Sequence, residues 1–169
     1  MLDRALEQYR GVLAQSVVWA GLSPDDLDLV LASCRLLTVE AGQPLLAEGR
    51  PGAGLFVILD GQVEVFLPEH SQRVRRPSRV RLNVLGPGRC FGEYGVIDDM
   101  PSSASAQTLT PARLCVLSPS DFRRIAERND RIGRIVYANL LRFLVSRLRS
   151  KDKELDLIVF AEEEADRPS

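Results

Sequence analysis

A single histidine, His70, stands among the 169 residues, and the three cysteines, Cys34, Cys90 and Cys115, lie far apart with no CxxC spacing. One imidazole cannot build a histidine metal cluster, and it leaves no Ser-His pair elsewhere in the chain. An odd, scattered set of cysteines reads as reduced thiols rather than a disulfide framework or zinc site. Lysine occurs only at Lys151 and Lys153 and the net charge is −1, so no global positive excess points to nucleic acid or an acidic membrane surface. No apolar run is long enough to span a bilayer, and the N-terminus MLDRALEQYR has no signal-peptide pattern. A soluble cytoplasmic protein that touches no membrane is the expectation. Asp98-Asp99 is a carboxylate pair, but adjacent residues in a turn usually point apart. With no catalytic set and no metal set to assemble, the chain is expected not to be an enzyme and to need no cofactor.

The residues that are present are strongly patterned. Hydrophobic residues make up 45% of the chain, enough for the core of one domain plus an accessory element. Leu2, Leu6, Tyr9, Leu13, Val17 and Ala20 form a helical stripe over 2–20, with Gly11 as its weak point and Gly21 as its stop. A second helix has an explicit start, with Ser23 as N-cap, Pro24 at the first position and Asp26 three residues after the cap. From Arg35 the period becomes that of strands, in short segments near 35–39, 44–48, 55–59, 62–67, 79–85, 105–109 and 113–117. Asp60-Gly61 between Phe56–Leu59 and Val63–Phe66 is a hairpin signal. Regular short strands with turn signals indicate an all-β barrel or roll. A metal-dependent β-barrel enzyme would need several histidines, and only His70 is available.

Residues 70–81 form a polar connection carrying Arg73, Arg75, Arg76, Arg79 and Arg81, read chiefly as a solvated loop and otherwise as a surface for an acidic partner. Ser118, Pro119 and Asp121 repeat the helix-start signal, and Asn129 or Asp130 then caps a longer helix. Its apolar residues, Ile132, Ile135, Val136, Leu140, Leu141, Phe143, Leu144 and Leu148, make a stripe too broad for one seam. One side is expected on the roll and the other on a partner helix, with Phe143 as the residue that tests where a dimer seam lies. The expected divisions are an N-terminal helix over 1–21, a roll with capping helices over 22–128, a long helix over 129–160 and a disordered acidic tail over 161–169.

Cys90 to Ala106, CFGEYGVIDDMPSSASA, is the stretch with chemical content. A backbone that turns at Gly92 and winds into one helical turn presents unpaired N–H groups suited to an anion. Glu93 sets a carboxylate beside that site, which suits a ligand bearing hydroxyl donors as well as a phosphate.

The stretch resembles the phosphate-binding cassette of the cyclic-nucleotide-binding domain family, in which Phe-Gly-Glu, an apolar tetrad and a short break precede Pro-Arg-Ser/Thr/Ala-Ala. Phe91, Gly92, Glu93, Tyr94-Gly95-Val96-Ile97, Pro101, Ser103 and Ala104 match, and Ser102 stands where the family has its phosphate-binding arginine. The order of segments, including AEGRPGAGLFVILDGQVEVF, extends the resemblance over roughly residues 22–150. It implies a mainly β fold with flanking helices: an antiparallel double-stranded β-helix, jelly-roll-like, with N-terminal helices and a long C-terminal helix. It also implies a nucleotide site made by Phe91, Gly92, Glu93, Tyr94, Ser102, Ser103 and Ala104. In that site Glu93 accepts from the ribose 2′-hydroxyl, the amides of Gly92, Glu93 and Tyr94 face the phosphate, and Ser103 adds a hydroxyl.

Losing one charge-assisted hydrogen bond at Ser102 costs about 1.5–3 kcal/mol, a ten- to more than hundredfold drop in affinity. Arg89, close in sequence, is a candidate replacement. Two readings stay open: a regulatory module that binds cAMP or cGMP with reduced affinity and signals through its C-terminal helix to a dimer mate or another protein, and a degenerate module that binds no nucleotide and serves protein interaction or dimerisation. DNA binding is not expected, because only about nine residues follow the apolar patch at Leu155–Phe160, too few for a helix-turn-helix.

Overall fold

A computed structural model describes residues 4–72 and 74–165, with side chains described over 5–72 and 74–152. Two short helices, α1 (Arg4–Glu7) and α2 (Arg10–Gln15), and a 3-10 turn at Val17–Trp19 lead into α3 (Pro24–Leu31). Then come β1 (Arg35–Val39), β2 (Pro44–Leu46), β3 (Leu55–Asp60), β4 (Val63–Leu67), β5 (Val80–Leu85) and β6 (Cys90–Phe91). The single turn α4 (Tyr94–Ile97), β7 (Ser105–Thr108), β8 (Ala112–Leu117), α5 (Pro119–Arg128) and α6 (Asp130–Ala165) complete the order.

The strands make two antiparallel four-stranded sheets, β1-β8-β3-β6 and β2-β7-β4-β5, the expected double-stranded roll. The run Leu55–Leu59 is apolar throughout because both of its faces are buried. Phe56 and Ile58 point into the roll with Val63, Phe91, Ala106, Leu114 and Val116. The alternate residues Leu55, Val57 and Leu59 face the helices, against Leu13, Trp19, Leu31, Phe122, Ile132, Val136 and Leu140. The period-2 geometry of a strand imposes this division. By contrast β5 is exposed along nearly its whole length.

Both helix-start signals form as expected. The Ser23 hydroxyl accepts from the Asp26 amide at 3.2 Å, and that of Ser118 accepts from the Asp121 amide at 3.1 Å. Asn129 caps α6, its Oδ1 accepting from the Ile132 amide at 3.2 Å.

Three expectations are corrected. Residues 1–21 do not form one helix: after Gln15 the chain becomes extended at Ser16 and tightens into the 3-10 turn, which buries Val18 and Trp19. Asp60-Gly61 does not close a hairpin, since β3 pairs β6 and β8 while β4 pairs β5 and β7. Both faces of the first sheet are covered, so β4 beside β3 would bury Glu64 among apolar side chains. The turn instead carries the chain between sheets, next to the parallel crossing from β7 to β8, where the Leu109 amide donates to the Gln62 carbonyl at 2.8 Å. Finally, α6 continues through Ala165 into the span read as a disordered tail, since alanine and glutamate are strong helix formers; residues 166–169 lie outside the described residues.

Gly61 is the tight point of the crossing, with φ +86° and a Cβ position 2.4 Å from the Pro111 carbonyl oxygen. Gly61→Ala is therefore expected to cost about 3 kcal/mol, combining left-handed strain with a backbone clash. Gly42→Ala, at φ +78° with open space around it, should cost only about 1 kcal/mol. Urea midpoints at constant m-value measure both, and equal losses would remove the crossing as the cause.

Candidate functional site

β6 is held to β3 with Phe91 opposite Phe56, and the two rings stack at 4.8 Å between centroids. The chain then turns at Gly92, φ +80°, where a Cβ would lie 2.3 Å from the Gly54 carbonyl oxygen. Only glycine fits so close an approach. One helical turn, α4, follows as expected, with the amides of Val96 and Ile97 returning to the Glu93 carbonyl at 3.1 and 3.2 Å. The first amides of that turn have no partner within it. A second turn at Asp99, φ 55°, is tied to α5 by Arg123, whose two nitrogens meet the carboxylate at 2.7 and 3.1 Å.

The cassette's second half lies against the loop at 49–54. The Ser102 amide donates to the Arg50 carbonyl and the Gly49 amide to the Ser102 carbonyl, both at 2.8 Å. The Cα of Gly52 stands 3.3 Å from where a Cβ on Gly95 would be. Gly49, Gly52 and Gly54, in the connection between the segments at 44–48 and 55–59, are the bed on which the cassette rests.

All seven expected site residues meet at one pocket of about 930 Å³. Phe91, Gly92 and Glu93 form one wall with Tyr94, while Ser102, Ser103 and Ala104 form another. Leu82 and Val84 of β5 line it, and α6 covers it with Arg142, Phe143, Ser146 and Arg147. Arg89, an exposed residue, also lines it.

Glu93 is 3% exposed. Its Oε1 accepts from Arg147 Nη1 at 2.5 Å across 54 positions of sequence. A buried carboxylate needs such a partner, because desolvation otherwise outweighs its charge stabilisation. The site residues expected from the sequence include none from α6. The signal was the spacing Arg142, Phe143, Ser146, Arg147, Ser150, one helical face that mixes polar and aromatic groups.

That face also places Phe143. It packs on its own domain and lines the pocket. Tyr137, Leu141, Val145 and Leu148 form the exposed stripe on another face of α6. Three arginines of the arginine-rich loop are engaged by their own domain. Arg76 grips buried Glu48 with two 2.8 Å hydrogen bonds, and Arg79 and Arg81 converge on buried Glu64. Arg73 lies outside the described residues. Among the described residues, no helix is long and apolar enough to cross a membrane.

The pocket's electrostatics reach Cys90. Burial, with the Glu93 charge behind it, pushes the thiol from 9.0 up to about 12, while Arg147 and Arg89 work in the opposite direction. The folded thiol keeps its proton well above the pH at which the unfolded one loses it. Stability from this source is thus complete below pH 9.0 and is lost as pH rises toward about 12. Between pH 8.5 and 10.5 the wild type should lose about 2 kcal/mol more than Cys90→Ala under reducing conditions. Urea titrations at the two pH values measure this, and parallel losses would show that the thiol is not held neutral.

Residues 36–129 match the family described as Cyclic nucleotide-binding domain. The cyclic AMP receptor protein of Thermus thermophilus is 32% identical over 147 residues, covering 87% of this chain and 64% of that protein. The crystal structure of the Thermus thermophilus catabolite activator protein matches with a TM-score of 0.72 at 32% identity, over 86% of this chain and 64% of that one. A cyclic nucleotide-binding domain from Methylobacillus flagellatus has the same fold, with a TM-score of 0.77 at 24% identity over 88% of this chain and 83% of that one. The chain thus spans 64% of the length of the Thermus protein. By the extent of the family match and the cassette that carries it, the chain belongs to the cyclic nucleotide-binding domain family.

Proposed function

We propose that the protein is a non-catalytic regulatory module that binds a cyclic nucleotide, cAMP or cGMP, in the pocket beneath α6 and signals through that helix. The observation that carries the reading is the buried Glu93 carboxylate on the wall of a pocket of about 930 Å³ that α6 lines on one side. Arg147 occupies Oε1, and a carboxylate has further lone pairs with which to accept from a ribose 2′-hydroxyl. The amides of Gly92, Glu93 and Tyr94 face the phosphate, with hydroxyls from Ser102 and Ser103. Phe91 holds the turn in place, and Ala104 contributes small-residue lining. Family membership and a relative named for cyclic AMP support the ligand class.

The exposed stripe on α6, with Leu141 63% and Leu148 62% exposed, supports a second copy of the chain as the partner through this helix. Free cysteines at 34, 90 and 115 suit the cytoplasm. Ser102, in place of the cassette arginine, favours a second reading in which the same fold binds no nucleotide and acts only as a dimerisation module.

Calorimetric titration with cAMP and with cGMP separates the two readings. Binding of either, weakened by Glu93→Ala, is the expected outcome, and no heat at millimolar ligand sinks it. Ser102→Arg should tighten binding by about 2 kcal/mol, roughly thirtyfold. For the helix, Leu141→Asp with Leu148→Asp should convert a dimer to a monomer in sedimentation, whereas Phe143→Asp should instead disturb the pocket. A sedimentation profile unchanged by the Leu141/Leu148 pair would remove α6 as the seam.

A further inference from the structure

Charge in the pocket is distributed unevenly. Among the described residues the only carboxylate lining it is Glu93, whereas Arg89, Arg142, Arg147 and Lys151 all line it, and none of these cations belongs to the segment 101–106. The cassette side holds Ser102, itself only 8% exposed and anchored through its backbone. Its hydroxyl carries no charge to set against a phosphate.

Of the four cations, Arg142 donates to Asn139 at 3.2 Å. Arg147 is placed against the wall by its hydrogen bond to Glu93, and Arg89, one residue before β6, lines the same pocket. Arg147 spends one nitrogen on Glu93 Oε1. Its guanidinium carries five N–H donors in a planar fork, enough to bridge a carboxylate and a phosphate oxygen at once. The ring of Phe143, 5.7 Å from the guanidinium carbon, lies alongside the fork.

We propose that Arg147 of α6, with Arg89 of the turn before β6, holds the phosphate of the bound cyclic nucleotide in place of the arginine missing at Ser102. The inference rests on the cyclic-nucleotide reading of the pocket and goes beyond it by moving the anion contact from the cassette to the lid. It makes the charge of the ligand, rather than its base or ribose, the feature that α6 senses. A neutral nucleoside would fill the pocket without engaging the helix in the same way.

The test uses the full chain and two probes that differ in the phosphate, cAMP and adenosine, each measured by displacement of a fluorescent cAMP analogue. Arg147→Gln is expected to weaken cAMP at least tenfold and adenosine less than twofold. Arg147→Lys should retain most of the cAMP affinity, since the charge remains. Arg89→Gln, at an exposed residue where folding is not at risk, should weaken cAMP a few-fold and leave adenosine unchanged. Ser102→Arg placed in the Arg147→Gln background should restore cAMP binding. Equal losses for cAMP and adenosine in Arg147→Gln would overturn the proposal, because Arg147 would then act on the ribose through Glu93. Unchanged cAMP binding in both Arg147→Gln and Arg89→Gln would overturn it as well. If the wild type itself binds no cAMP at millimolar concentration, the cyclic-nucleotide reading fails and this inference with it; wild-type binding with indifferent variants defeats only the inference.

Discussion

The structure depends on a stack of backbone contacts with no room for side chains. A Cβ on Gly92 would sit 2.3 Å from the Gly54 carbonyl oxygen, and one on Gly54 would sit 2.3 Å from the Leu117 carbonyl oxygen. Leu117 immediately precedes Ser118, which caps α5. Gly133 of α6 then crosses α5 so closely that its Cβ would lie 3.0 Å from that of Ala126. Cassette, supporting loop, last strand and the two helices are thereby referred to one another through rigid main chain rather than long, adjustable side chains. Close packing of this kind transmits displacement instead of absorbing it. It also explains how a residue 54 positions away can meet Glu93 at hydrogen-bond distance.

Around that frame the buried charge follows one rule. Glu48, Glu64 and Glu93 are each less than 10% exposed, and each is met by arginine from a distant segment. A carboxylate taken from water needs a partner that satisfies it with good geometry, and the planar fork of arginine supplies two parallel bonds where lysine supplies a point charge. The scarcity of lysine in the chain is consistent with that demand. The Glu48 and Glu64 pairs lie within the roll and its β4–β5 loop, where they fix the polar connection against the strands. Of these three pairs, the Glu93 pair joins the roll to α6, and it lies on the wall of the pocket.

Much of this architecture was legible in local pattern. The Ser-Pro-x-Asp starts at Ser23 and Ser118 announced two helices, and the strand periods announced the roll. Cys90 to Ala106 announced a cassette whose seven expected residues do meet at one pocket. What escaped has a common cause: it is decided by contacts between segments far apart in sequence. β6 has two residues and no period of its own, and it is a strand because β3 lies beside it. Asp60-Gly61 carries the local chemistry of a hairpin, yet the burial of both faces of β3 sends β4 to the other sheet. The stripe over 2–20 reads as one helix, but Val18 and Trp19 are better buried by a 3-10 turn. The mixed face of α6 narrows the choice to Arg142 and Arg147, and only the phase of α6 against the roll tells these two apart.

The phase of α6 also bears on signalling. Arg147 and Phe143 face the pocket, while Leu141, Val145 and Leu148 lie on a different side of the same helix. A rigid helix cannot shift one side without shifting the other, so any displacement of the helix backbone at Arg147 also moves the apolar stripe. A ligand moves such an element only by as much as its contacts differ between the two positions. Contacts confined to the cassette would be the same wherever α6 lay and would supply no such difference. A contact made by α6 itself would exist only with the helix docked, so under the proposed function a cation on that helix would couple occupancy of the pocket to presentation of the stripe more directly than a cation in the cassette.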